Sequence, residues 1–199
     1  MAVRIAVLAS GGGTNLQALI DYLVGQGDRA SARIVVVGSN REGSRALDRA
    51  RAATIPAEVF DASDDGSALL DLLDRYDAQL VVLAGYLKRI PPAIVNHYRG
   101  RILNVHPGLL PEFGGAGMYG AKVHAAVIAA GAAHTGVTVH LVDDELDHGP
   151  VIARWLVPVN RGDTTETLAA RVLEVEHVVY PRVVEMVAAL NERRFFADF

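Results

Sequence analysis

Apolar residues fall in short clusters that end at glycine or polar turns, and their spacing switches between two periods along the chain. Val3 to Leu8 reads as a buried strand and Arg33 to Val37 as a second. Ala57 to Phe60 is a short third, Gln79 to Leu83 a fourth and Arg101 to Val105 a fifth. Helical stretches lie between them, over Asn15 to Val24, Ser44 to Ala53, Ser67 to Arg75, and a short one near Pro92 to His97. This alternation predicts a parallel sheet with helices on both faces. A helix around Ala121 to Ala130 is followed by two more strands, Gly136 to Val142 and Val151 to Val159. Only a short turn links them, so they are expected to pair antiparallel. Thr164 then caps a long helix running towards Leu190, with Glu166 two residues into it.

No repeat, low-complexity tract or linker divides the 199 residues, a length that makes one domain with a substantial core. The expectation is a single Rossmann-like α/β domain over residues 1–199. Its sheet is mostly parallel, with an antiparallel strand pair near the C-terminus. Although 51% of residues are hydrophobic, stretches such as Leu80 to Ala84 are strand-length, far short of the roughly 20 residues that span a bilayer. Met1 to Leu8 carries no signal-peptide plan, so a cytoplasmic protein without membrane partners is expected. The absence of cysteine excludes disulfides and thiolate metal sites. A net charge of −4 argues against nucleic acid as the main ligand. The longest basic cluster, Arg41, Arg45, Arg49 and Arg51, is spaced among acids and alanines as the wet face of a helix would be.

Two segments carry chemistry. Ser10-Gly11-Gly12-Gly13-Thr14-Asn15 follows the first strand and opens the first helix. Backbone N–H groups at such a start are unpaired and sit at the positive end of the helix dipole, which favours a phosphate. A dinucleotide fingerprint fails because its third glycine is Leu16 and the second strand ends in Gly38-Ser39-Asn40, with no acid. A nucleotide P-loop fails for want of Gly-Lys-Ser/Thr, and a tight turn without ligand stays open. The other segment, Arg101 to Pro107, is an apolar strand finishing in Asn104 and His106, which as i and i+2 share a face. An amide beside an imidazole at the carboxyl edge of a parallel sheet suits a developing oxyanion. A strand end with one capping Asn and one exposed His is the plainer alternative.

Asn104-Val105-His106-Pro107-Gly108-Leu109-Leu110-Pro111 resembles the N-x-H-P-x-x-L-P signature of folate-dependent formyltransferases. Asp144-Glu145-Leu146-Asp147-His148-Gly149-Pro150 is similar to the acidic loop of that family, whose last Asp is catalytic. The resemblance covers nearly the whole chain. It extends to the glycine loop, to Gly85-Tyr86-Leu87-Lys88-Arg89-Ile90 as a folate-site segment, and to Glu176-His177 with Tyr180-Pro181 in the last helix. It implies transfer of a formyl group from 10-formyltetrahydrofolate, as cosubstrate, to the primary amine of glycinamide ribonucleotide in de novo purine synthesis. No metal and no tightly bound cofactor are implied, and the protein would be a monomer or homodimer. Carried over by motif, Asn104, His106 and Asp147 would be catalytic. Gly13, Thr14 and Asn15 would hold the substrate phosphate, and Glu176 the glycinamide. Leu87, Lys88, Arg89 and Ile90 would border the folate together with Asn104. Residues 1–100 then form the phosphate-binding half and residues 101–199 the catalytic and folate-site half.

Two stretches depart from the family pattern. Phe113 to Gly120 is longer and richer in glycine than the usual Pro-Gly turn, so no contact is assigned from it, nor to His124. Ser63-Asp64-Asp65 stands where relatives often carry a basic residue, and no folate contact is assigned there. Other branches remain as alternatives. Methionyl-tRNA formyltransferase carries a further C-terminal domain, whereas this chain stops at Phe199. Formyltetrahydrofolate hydrolase carries an N-terminal regulatory domain, whereas the first strand here begins at Val3. A metal-dependent hydrolase lacks its H-x-H or H-E-x-x-H pattern among seven scattered histidines. A non-catalytic phosphosugar-binding module would explain the glycine loop but not Asn104, His106 and Asp147 together.

Overall fold

The computed structural model describes residues 1–62 and 65–191. The strands are β1 (Val3–Leu8), β2 (Ala32–Ser39), β3 (Ala57–Val59), β4 (Leu80–Leu83), β5 (Ile102–His106), β6 (His134–Leu141) and β7 (Val151–Pro158). The helices are α1 (Thr14–Gln26), α2 (Arg45–Ala52), α3 (Ser67–Arg75), α4 (Pro92–His97), α5 (Ala121–Ala129) and α6 (Thr165–Asn191). Each expected element is present, with ends shifted by one or two residues in most cases. Thr164 does cap α6, since its Oγ1 accepts from the Thr167 N–H at 3.3 Å.

One sheet runs in the order β3-β2-β1-β4-β5-β6-β7. β3 to β5 are mutually parallel, while β6 is antiparallel to both β5 and β7. Strand residues alternate between two cores, as the two-residue period demands. Val3, Ile5 and Val7 of β1 face α1, α2, α5 and α6, whereas Ala6 and Leu8 face α3 and α4. The second core takes in Ile102 at the start of β5. Beyond it on the same face stand Asn104, which meets His140 of β6, and His106, which meets the loop at Phe113.

Two features of this topology position the polar residues. The strand order reverses between β1 and β4, so the loops leaving those strands diverge around a crevice at the sheet's carboxyl edge. Ser10 N donates to Gly85 O at 3.1 Å, and Leu87 N donates to Ser10 Oγ at 3.0 Å, tying the glycine loop to the segment after β4. Antiparallel pairing also sets His140 opposite Asn104 and Thr138 opposite His106. Among the described residues no helix is long and apolar enough to cross a membrane.

Candidate active site

Asn104, His106 and Asp147 come together at the end of β5. His106 is buried, and its Nδ1 lies 3.5 Å from Asp147 Oδ2. Its Nε2 lies 2.7 Å from Phe113 O; a carbonyl only accepts, so Nε2 carries the proton of that bond. Asp147 also accepts from Gly115 N at 3.0 Å. Its φ of +56° is a left-handed conformation unfavourable for a residue with a Cβ, so outside contacts must hold it. Gly114 is required beside it, because a Cβ there would sit 2.3 Å from Leu110 Cδ2 and 3.1 Å from Asp147 Cβ. The glycine-rich loop, to which the sequence assigned no contact, therefore shapes this corner.

His140 completes the cluster. Burial is the main influence on its ring and lowers its pKa, so the imidazole is neutral. Its Nδ1 donates to Leu141 O at 2.8 Å, which leaves Nε2 to accept from Asn104 Nδ2 at 3.1 Å. With Nε2 unprotonated, the 3.7 Å approach of Asp147 Oδ1 is not an ion pair. Asn104 has two amide hydrogens, so one is fixed on His140 and the second is available to a ligand. His140 was one of several scattered histidines in the sequence; only the register of β5 against β6 places it here. His124, buried with Nδ1 unpartnered, has its pKa lowered first by burial and then by nearby His106.

The glycine loop is held by its carbonyls. Gly11 O accepts from Ser44 Oγ at 3.0 Å and Ala46 N at 3.2 Å, and Gly12 O from Arg49 Nε at 2.9 Å. Arg49, read from the sequence as part of a wet face, instead binds this loop and Gln17 Oε1. Gly13 has φ +68°, and a Cβ on it would lie 2.7 Å from Ala46 Cα. Thr14 is exposed, whereas the Asn15 side chain turns inward and donates to Glu176 Oε2 at 2.6 Å. Glu176 is only 6% exposed, and burial pushes its carboxyl up to about 7. Leu87 is 56% exposed, Ile90 is buried in the second core, and Arg89 donates to Asp144 O. Ser63 and Asp64 lie outside the described residues. Among the described residues no group of three or more His, Asp or Glu is placed to hold a metal ion.

An amide, two imidazoles and a carboxylate at the carboxyl edge of an α/β sheet form a cluster suited to acyl-transfer enzymes. The chain belongs to the formyl transferase family, whose family model matches residues 3–184. It is 42% identical over 199 residues to the chloroplastic phosphoribosylglycinamide formyltransferase of Arabidopsis thaliana, covering 96% of this chain and 66% of that protein. Against the phosphoribosylglycinamide formyltransferase of Escherichia coli (strain K12) identity is 40% over 192 residues, covering 94% of this chain and 87% of that protein. The crystal structure of glycinamide ribonucleotide transformylase 1 from Symbiobacterium toebii superposes with a TM-score of 0.86 at 37% identity, over 94% of this chain and 88% of that one.

Proposed function

We propose that this chain transfers the formyl group of 10-formyltetrahydrofolate to the primary amine of 5-phosphoribosylglycinamide, the glycinamide ribonucleotide of purine synthesis. The observation that carries this reading is the meeting of Asn104, His106 and Asp147 at one strand end. The neutral amine attacks the formyl carbon and a tetrahedral oxyanion forms. Asn104 donates its free amide hydrogen to that oxygen, held in direction by His140. His106 donates as well, exchanging Phe113 O for the new oxygen as acceptor of its Nε2–H. Asp147 faces the other ring nitrogen and holds the ring in place, and the amine's proton passes by a relay to the leaving folate nitrogen. The carbon–nitrogen bond to the folate breaks as the oxyanion collapses.

In the same reading, the amides of Gly13, Thr14 and Asn15 bind the substrate phosphate and Glu176 meets the glycinamide. Leu87, Lys88, Arg89 and Ile90 border the folate beside Asn104, so residues 1–100 supply the phosphate loop and one border of the folate site, and residues 101–199 the catalytic group and the rest of that site. The setting is cytoplasmic. The test is formyl transfer by the pure protein supplied with glycinamide ribonucleotide and 10-formyltetrahydrofolate. Formylated product is expected at a rate far above that without enzyme. Release of formate without transfer to the amine would favour the hydrolase branch instead.

A further inference from the structure

Asp147 keeps its positive φ at the end of a loop, Val142 to Gly149, that no helix or strand continues through. Such a conformation persists only when the surroundings over-determine it. Part of the restraint is internal. Asp143 accepts from Glu145 N and lies 2.9 Å from His148 Nδ1, and Gly149 packs against Leu141, where a Cβ would lie 2.0 Å from the carbonyl oxygen. The rest comes from outside. Arg89, on the segment after β4, donates to the Asp144 carbonyl. Arg99, just past α4, lies 3.4 Å from Asp144 Oδ2 while also donating to Asn96 Oδ1. Two guanidinium groups from either side of α4 thus converge on one residue of the loop, three positions before Asp147.

We propose that Arg89 and Arg99 form a latch across the site that holds the Val142 to Gly149 loop closed on Asp144 and so positions Asp147. The latch ties the connection between β4 and β5 to the loop between β6 and β7. Arg99 acts only through the loop and is a positioning residue, while Arg89 reaches the loop from the segment that borders the folate in the reading above. One terminal nitrogen of Arg99 serves both Asn96 Oδ1 and Asp144 Oδ2, a placement set by the planar guanidinium that a lysine ammonium does not reproduce. Both members of the Arg99–Asp144 pair are half exposed, so its share of the hold weakens as salt rises.

The test is amide hydrogen exchange on the full chain, with kinetics alongside. In R89A/R99A, amides of residues 143–148 should exchange about tenfold faster, while those of β1 and β2 stay protected. The kinetic part rests on the function proposed above. There, in R99A alone, the KM for 10-formyltetrahydrofolate should rise and kcat fall, each by about twofold to fivefold, with the KM for glycinamide ribonucleotide held within about twofold. R99K should recover less than half of the loss, and D144N should match R99A. Unchanged exchange of residues 143–148 in the double variant overturns the latch. If the double variant fails to fold, D144N decides by the same exchange measurement. A wild-type chain that formylates nothing would sink the functional reading and leave the exchange comparison standing.

Discussion

The amide of Asn104 is useful because it is half engaged. One of its hydrogens rests on the neutral Nε2 of His140, which orients the side chain without consuming it. Removing the donor should be felt in turnover more than in binding, since the oxygen it serves becomes negative only in the transition state. Asn104→Ala and His106→Ala should each lower kcat by roughly 100-fold or more, with KM changing much less. A His106→Ala enzyme of near wild-type turnover would remove this strand end from the chemistry. Glu176 makes a different prediction at the same scale. Burial pushes its carboxyl up to about 7, above the ordinary glutamate range near 4.5, so between those values the folded state holds a proton that the unfolded chain has lost. Stability should therefore fall as pH rises from about 4.5 to 7 and then level off, with about 3 kcal/mol at stake. Denaturant unfolding at several pH values should show that slope in wild type and its loss in Glu176→Gln. A slope that survives the substitution would place its origin elsewhere.

Among the elements, Tyr180 of α6 joins two strands. Its hydroxyl lies 2.9 Å from Leu83 O and 3.2 Å from Leu103 O, at the end of β4 and within β5, and the side chain is fully buried. Phenylalanine would keep the packing and remove one donor shared by the two carbonyls, so Tyr180→Phe should destabilise the protein by about 0.5–1.5 kcal/mol. Chemical denaturation measures this, and a loss below about 0.5 kcal/mol would mean that water or relaxation satisfies the carbonyls. The same scale shows what the sequence could tell. Strand and helix positions were legible because burial imposes periods of 2.0 and 3.6, and Asn104 with His106 stood out because two polar residues interrupt an apolar strand on one face. His140 was not legible, since its place depends on β6 lying antiparallel to β5 in one register, a long-range pairing that local pattern does not encode. The roles of Gly114 and Gly115 were hidden for a related reason. Their contact with Asp147 is made across about thirty residues of chain, between two loops with no periodicity.

For the molecule as a whole, charge and topology together bear on which amine is formylated. The net charge is −4, and Arg49, which a basic surface would need, instead ties Gly12 O to Gln17. A transfer RNA acceptor is bound through many phosphate contacts and calls for a broad basic face. A small phosphomonoester calls for much less: a few amides at a helix start, aimed outward. In the reading proposed above the glycine loop serves that need, and its Gly11 and Gly12 carbonyls are already engaged from the α2 side. Deleting the phosphate from the substrate is the cleaner probe of this loop. A side chain at Gly13 would both strain a φ of +68° and collide with Ala46, so any loss in such a variant would mix folding with binding. Glycinamide riboside should therefore show a kcat/KM about 100-fold or more below that of the ribonucleotide, with the KM for 10-formyltetrahydrofolate little changed. Methionyl-tRNA should be formylated far more slowly than either. Equal efficiency with and without the phosphate would leave the glycine loop as a tight turn only, and preference for methionyl-tRNA would assign the chain to a different branch of the formyl transferases.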